Sequence, residues 1–179
     1  GASGSCAAAA SPTSRWSRPN AEVCSELPAR TTCRGSSPVV DGSNGLLVNL
    51  DTTTTPGYWK YHWQTHYPIA YYLVSIAVAR YAEYKAYMYF TGSTDSMLVQ
   101  NFLADTATFN PVYKINFDTI PQIVDYFSTI FGRYPFWKEK YGVCYTTLGG
   151  GMENQTMTTI GVPDTRTIAH ELCHQWFGD

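Results

Sequence analysis

Apolar residues along this chain change their spacing near residue 110, and the predicted elements change with it. Ahead of that point, apolar and aromatic positions come in short runs bounded by turn residues. Leu46-Leu47-Val48-Asn49-Leu50 reads as a strand, and Thr-rich turn residues follow it to Pro56-Gly57. Tyr58 to His66, Ala70 to Ala79 and Tyr84 to Phe90 predict three further strands, with a break at Pro68. Nine tyrosines fall there among aromatic and β-branched neighbours. Met97 to Leu103 predicts another, after the turn Gly92-Ser93-Thr94-Asp95. Several short strands in succession imply an antiparallel sheet rather than βαβ units.

Beyond Asn110 the period lengthens. Ile120, Ile123, Val124, Phe127, Ile130 and Phe131 recur at the three-and-four spacing of one helix face. Asp118 or Thr119 can cap that helix, Pro121 is tolerated in its first turn, and Gly132 ends it. Tyr141 to Thr147 and the stretch near Gln155 to Ile160 read as strands around Gly149-Gly150-Gly151. Pro163-Asp164-Thr165 opens a final helix. The class expected is therefore α+β, with a boundary near residues 105 to 112: β-rich from 44 to 110, mixed from 111 to 179. Residues 1 to 43 are rich in Ala, Ser, Pro, Arg and Cys without a sustained apolar period. They are expected to be poorly ordered, and their content fits a reading-frame artefact as well as a natural linker. Order is expected to begin near Asn44-Gly45.

Composition changes this picture little. Apolar residues make up 44% of the 179 residues, enough for a sizeable core. A net charge of −2 implies no nucleic-acid partner and no anionic membrane surface. No apolar run approaches the ~18 residues of a membrane span, and no signal peptide is visible. Compartment stays open, with the periplasm or the exterior favoured over the cytoplasm, and so does oligomeric state. Cys6, Cys24, Cys33, Cys144 and Cys173 are odd in number and lack C-x-x-C spacing, so no disulfide framework or zinc knuckle follows.

The chemistry concentrates in His170-Glu171-Leu172-Cys173-His174. On a helix, positions four apart share a face, so both imidazoles can hold one Zn²⁺. Glu171 projects beside that point, where it can take a proton from water at the metal. The surrounding helix is apolar (Ile168, Ala169, Leu172, Cys173, Trp176, Phe177), which predicts a buried helix whose polar residues need partners. Upstream stands Gly150-Gly151-Met152-Glu153-Asn154, between two predicted strands.

These two motifs, in this order, resemble the aminopeptidase N family of zinc metallopeptidases, gluzincins that also include the leukotriene hydrolases. The resemblance is to bacterial members with Gln-Thr after the Met-Glu-Asn, and it extends less sharply from about residue 44 to Asp179. It implies that residues 44 to 110 are the last strands of an N-terminal β domain. Residues 111 to 179 would open a thermolysin-like catalytic domain. It further implies one zinc ion held by His170 and His174, with Glu171 as general base. Glu153 would bind the free α-amino group of a peptide substrate, which physically suits a carboxylate at the blind end of a cleft. Gly150, Gly151, Met152 and Asn154 would complete the substrate-binding edge, the glycines letting a peptide lie against the backbone. The family's third ligand, a Glu, and its transition-state tyrosine would lie beyond Asp179, so the chain is expected to be a piece of such an enzyme, inactive by itself.

Other readings of the same residues stand beside these. Glu153 could be a solvated carboxylate after a glycine turn. His62 and His66 also stand four apart, but among strand aromatics, where half-buried sheet positions are expected rather than metal ligands. Cys173 should point away from the metal and serve as a small core residue. The tyrosines of 58 to 89 suit cross-strand packing. Asp179 could support a ligand histidine or simply meet water at a helix end. Two alternatives to an aminopeptidase remain: a gluzincin endopeptidase, or a non-catalytic truncated chain with a weak two-histidine metal site.

Overall fold

A computed structural model describes residues 21–28, 40–54, 58–104 and 111–178. Strands β1 (Ala21–Pro28), β3 (Leu46–Asp51) and β4 (Tyr58–Thr65) form a three-stranded antiparallel sheet in the order β1-β4-β3. Strands β2 (Val40–Ser43) and β5 (Ile76–Ala79) pair antiparallel beside it. Order therefore begins before Asn44: Asp41 and Ser43 are fully buried, because β2 finds a ladder partner in β5 that its own composition does not announce. The expectation of disorder for residues 1 to 20 and 29 to 39 lies outside the described residues. The strand expected over Ala70 to Ala79 is confined to β5, and Tyr71–Leu73 form a single 3₁₀ turn ahead of it.

The larger sheet has six strands. Strands β6 (Tyr81–Tyr89) and β7 (Ser96–Ala104) form an antiparallel hairpin around the expected Gly92 turn. Strands β8 (Lys140–Tyr141), β9 (Val143–Tyr145), β10 (Gly151–Met152) and β11 (Thr158–Ile160) complete it, in the order β10-β11-β9-β7-β6 with β8 also on β7. This sheet is mixed: β7 runs parallel to β8 and β9, and β9 parallel to β11. Parallel neighbours need a long crossover. Helices α1 (Pro111–Asp118) and α2 (Ile120–Phe131) supply it between β7 and β9. The strands ahead of residue 105 pair with one another antiparallel, as expected, and the parallel ladders enter only with the strands after α2. The sheet also runs straight across the boundary expected at 105 to 112, since strands from both sides share it.

Side-chain alternation along β7 explains the layering. Met97, Val99 and Leu103 join Phe117, Ile120 and Val124 of the helical segment, together with Ile168 and Leu172 of helix α3 (Thr165–Phe177), in one buried core. Phe102, on the opposite face, packs with Trp63, Tyr61, Cys144 and Met157 in a second core against the three-stranded sheet. The tyrosines divide: Tyr61 is buried, whereas Tyr71, Tyr87 and Tyr89 are exposed, so cross-strand packing accounts for only some of them. No helix among the described residues is long and apolar enough to cross a membrane.

Candidate active site

Helix α3 begins where Asp164 adopts an extended backbone and its carboxylate accepts from the Thr167 backbone N–H at 3.0 Å and from Thr167 Oγ1 at 2.7 Å. Those hydrogen bonds hold the Asp164 carboxyl below its usual range. The helix ends at Gly178, whose φ of +73° is a left-handed conformation that glycine adopts without strain. Its N–H returns to His174 O at 2.8 Å, and its carbonyl lies 2.6 Å from His174 Nδ1. A carbonyl can only accept, so this contact puts the His174 proton on Nδ1 and leaves a lone pair on Nε2.

His170 and His174 lie with their Nε2 atoms 3.3 Å apart and their rings at 84°. Two imidazole nitrogens held tetrahedrally at ~2.05 Å from one zinc ion lie ~3.3 Å apart, so the pair fits two positions of such a site. Among the described residues no third His, Cys, Asp or Glu joins them in a group of three. The histidines are less buried than the apolar surroundings suggested. His170 is exposed and His174 half-buried, while the buried face of α3 carries Ile168, Glu171, Leu172 and Gln175. Phe177 is 66% exposed. The helix is thus two-faced rather than buried all round. Cys173 is half-buried and unpaired by any disulfide.

Glu171 is the buried carboxylate of the two motifs, only 6% exposed. Burial raises its carboxyl above the usual range, with the neighbouring Glu153 adding to the rise and both histidines opposing it. Gly151 explains how the carboxylate fits. A Cβ at Gly151 would stand 2.6 Å from Glu171 Cδ, so strand β10 and helix α3 approach this closely only at a residue without a side chain. The bareness of Gly151 makes room for Glu171. Gly150, by contrast, faces open space at φ +82°. Strand β10 lies at one edge of the sheet, and Met152 is half-buried on it.

Glu153 follows β10 and is half-buried. With His174, Leu73, Phe136, Gln155 and Gln175 it lines a cleft of about 140 Å³. Asn154 turns away from it. Its Nδ2 donates to Leu73 O at 3.3 Å and its Oδ1 accepts from Thr159 Oγ1 at 2.9 Å, so both polar ends are consumed inside the fold. Gln175 was not singled out from the sequence. Its Nε2 donates to Glu153 O and its Oε1 accepts from Thr156 N, both at 3.0 Å, joining the helix of the histidines to the segment of Glu153. The available signal was its spacing four residues after Glu171, on the same buried face. His62 is half-buried in β4 and His66 is exposed beside Glu139, both apart from this cleft. Asp179 lies outside the described residues.

No family model matches the sequence, and no curated protein does. Solved structures do match. The M1 zinc metallopeptidase from Deinococcus radiodurans superposes with a TM-score of 0.66 at 21% identity, covering 88% of this chain and 34% of that one. A variant of it bound to a Tyr-Ser-Ala substrate gives 0.66 at 22% identity, with the same coverage. A two-domain M1 zinc metallopeptidase variant bound to L-arginine gives 0.67 at 20% identity, again over 88% and 34%. The fold is that of the M1 zinc metallopeptidases. At these identities the likeness is one of architecture, and the chain spans about a third of the length of those M1 structures. In this chain the two motifs, 16 residues apart between Asn154 and His170, meet at Gly151 and Glu171.

Proposed function

We propose that this chain carries the zinc-binding and amine-binding parts of an aminopeptidase site, acting on peptides with a free N-terminus. The observation that carries this reading is the meeting of two motifs far from one another in chemistry: the carboxylate of Glu171 sits against the bare Gly151, and Glu153 shares one cleft with His174. His170 and His174 would hold zinc through Nε2, the second oriented by the Gly178 carbonyl. When bound, zinc supplies a Lewis acid and lowers the pKa of water to roughly 7. Glu171, beside that point and destabilised as a carboxylate by burial, takes a proton from the attacking water and returns it to the leaving amine. Glu153 pairs with the substrate ammonium and sets where along the peptide the cut falls. Gly150 leaves the end of the β10 edge open for the peptide backbone.

For the domain division, we place the junction ahead of β6 rather than at 105 to 112, because β6 and β7 share a sheet with β8 to β11. The metal reading is tested by competition with a chelator of known zinc affinity. Zinc uptake should disappear in His170→Ala and in His174→Ala, and persist in Glu171→Gln, which should lose hydrolysis alone. Uptake that survives removal of both histidines would refute the metal assignment.

A further inference from the structure

Asn44 reaches across the molecule to the segment that carries Glu153. It lies in the turn between β2 and β3 and is 1% exposed. Its Nδ2 donates to Leu73 O at 3.1 Å and also to the backbone carbonyl of Gln155, 111 residues away in sequence. Its Oδ1 accepts from Ser75 N at 2.6 Å. Both amide hydrogens and the carbonyl of this side chain are therefore in use. The next residue continues the tie, Gly45 N donating to Thr156 Oγ1 at 2.9 Å. The turn is itself fixed from behind, since the buried Lys140 Nζ donates to Ser43 O at 2.7 Å.

The segment being held needs such ties. Residues 153 to 156 follow the two-residue strand β10 and belong to no helix or strand ladder. Thr156 is fully buried with φ +62°, a conformation that a β-branched residue adopts only when its surroundings impose it. On the other side Gln175 holds Glu153 O and Thr156 N from helix α3. The segment is thus pinned between the β2–β3 turn and the helix of the histidines.

We propose that Asn44 is a positioning residue for Glu153: by fixing Gln155 O, with Gly45 fixing Thr156, it sets how far the Glu153 carboxylate stands from the histidine pair. The proposal rests on reading Glu153 as the anchor for a substrate ammonium. Displacing such an anchor by an ångström can cost about 10²-fold in a site that works by alignment. The β2–β3 turn thereby becomes part of substrate recognition without touching substrate.

The test measures binding by calorimetry, on the zinc-loaded chain, of L-leucinamide and of N-acetyl-L-leucinamide, and takes the ratio of their affinities. Zinc stoichiometry, thermal midpoint and amide hydrogen exchange over residues 152 to 157 are recorded alongside. In Asn44→Ala the ratio should fall by about tenfold and exchange over that segment should quicken, with zinc stoichiometry unchanged. Thr156→Val, nearly isosteric, cuts only the bond from Gly45 and should lower the ratio in the same direction if Asn44→Ala does not fold. Thr156→Ser keeps the hydroxyl and should keep the wild-type ratio. A wild-type ratio above ten that both Asn44→Ala and Thr156→Val retain would overturn this inference alone. A wild-type ratio near one would overturn the ammonium-anchor reading, and this inference with it.

Discussion

The residue that decides the geometry of the site is Gly151. Its missing side chain lets the Glu171 carboxylate occupy the space where a Cβ would be. Gly151→Ala should therefore displace a flexible side chain rather than a backbone, so the fold survives while the Glu171 carboxylate is moved. Turnover should fall about 10²-fold. The thermal midpoint should move by only a few degrees, since ~1 kcal/mol shifts it by about 2–4 °C at this size. A turnover assay beside a melting curve checks both. Normal turnover in a folded Gly151→Ala would place Glu171 elsewhere. The sequence put His170, Glu171 and His174 on one helix, as the structure does, because their spacing is local and helical. It was silent on Gln175 and Asn44, whose roles are hydrogen bonds to residues 22 and 111 positions away. For Asn154 the motif shows the residue type but not the hydrogen bonds of its amide to Leu73 O and Thr159 Oγ1.

Among the elements, helix α3 carries the site and is held in place from both ends. Asp164 caps the first turn, and Trp176 Nε1 donates to Gly132 O at 2.9 Å near the last. Loss of the cap in Asp164→Ala should cost about 1 kcal/mol of stability, measured by denaturant unfolding, with zinc uptake retained in the folded protein. An unchanged unfolding midpoint would show that packing alone sets this terminus. Periodicity made α2, α3, β4, β6 and β7 legible, because each has enough residues to show a face. It could not show α1, whose eight residues lack the apolar stripe of α2. Nor could it show the 3₁₀ turn at Tyr71–Leu73, whose aromatic composition suits a strand equally well. Strands β1 and β2 owe their form to partners, β4 and β5, rather than to any alternation of their own.

For the whole molecule, the parallel pairing of β7 with β9 was beyond sequence reading because it depends on how two distant strands meet. The stacked cores it creates bury several titratable groups. Burial pushes the Cys144 thiol up to about 11 and the Tyr61 hydroxyl up to about 12, and raises Tyr134 and Tyr141 as well. In the unfolded chain these groups lose their protons at lower pH, so above about pH 9 the folded state binds more protons. Stability is then full below that point and lost as pH rises through the folded values. Lys140 opposes this below its unfolded value of 10.5, since burial lowers it, but it is one group against four. The thermal midpoint should therefore fall between about pH 10 and 12, with phenolate absorbance rising together with unfolding. Complete tyrosine ionisation in a folded chain would contradict the buried positions.

The central claim is that Glu153 selects a free N-terminus at a site built by His170, His174 and Glu171. It is tested most directly by kcat/KM on a peptide and on its N-acetylated twin, for the zinc-loaded protein and for Glu153→Ala. The free peptide should be favoured by about 10²-fold or more in the unaltered protein, and Glu153→Ala should erase that preference by losing rate on the free peptide alone. Equal losses on both peptides would contradict amine recognition and would favour an endopeptidase.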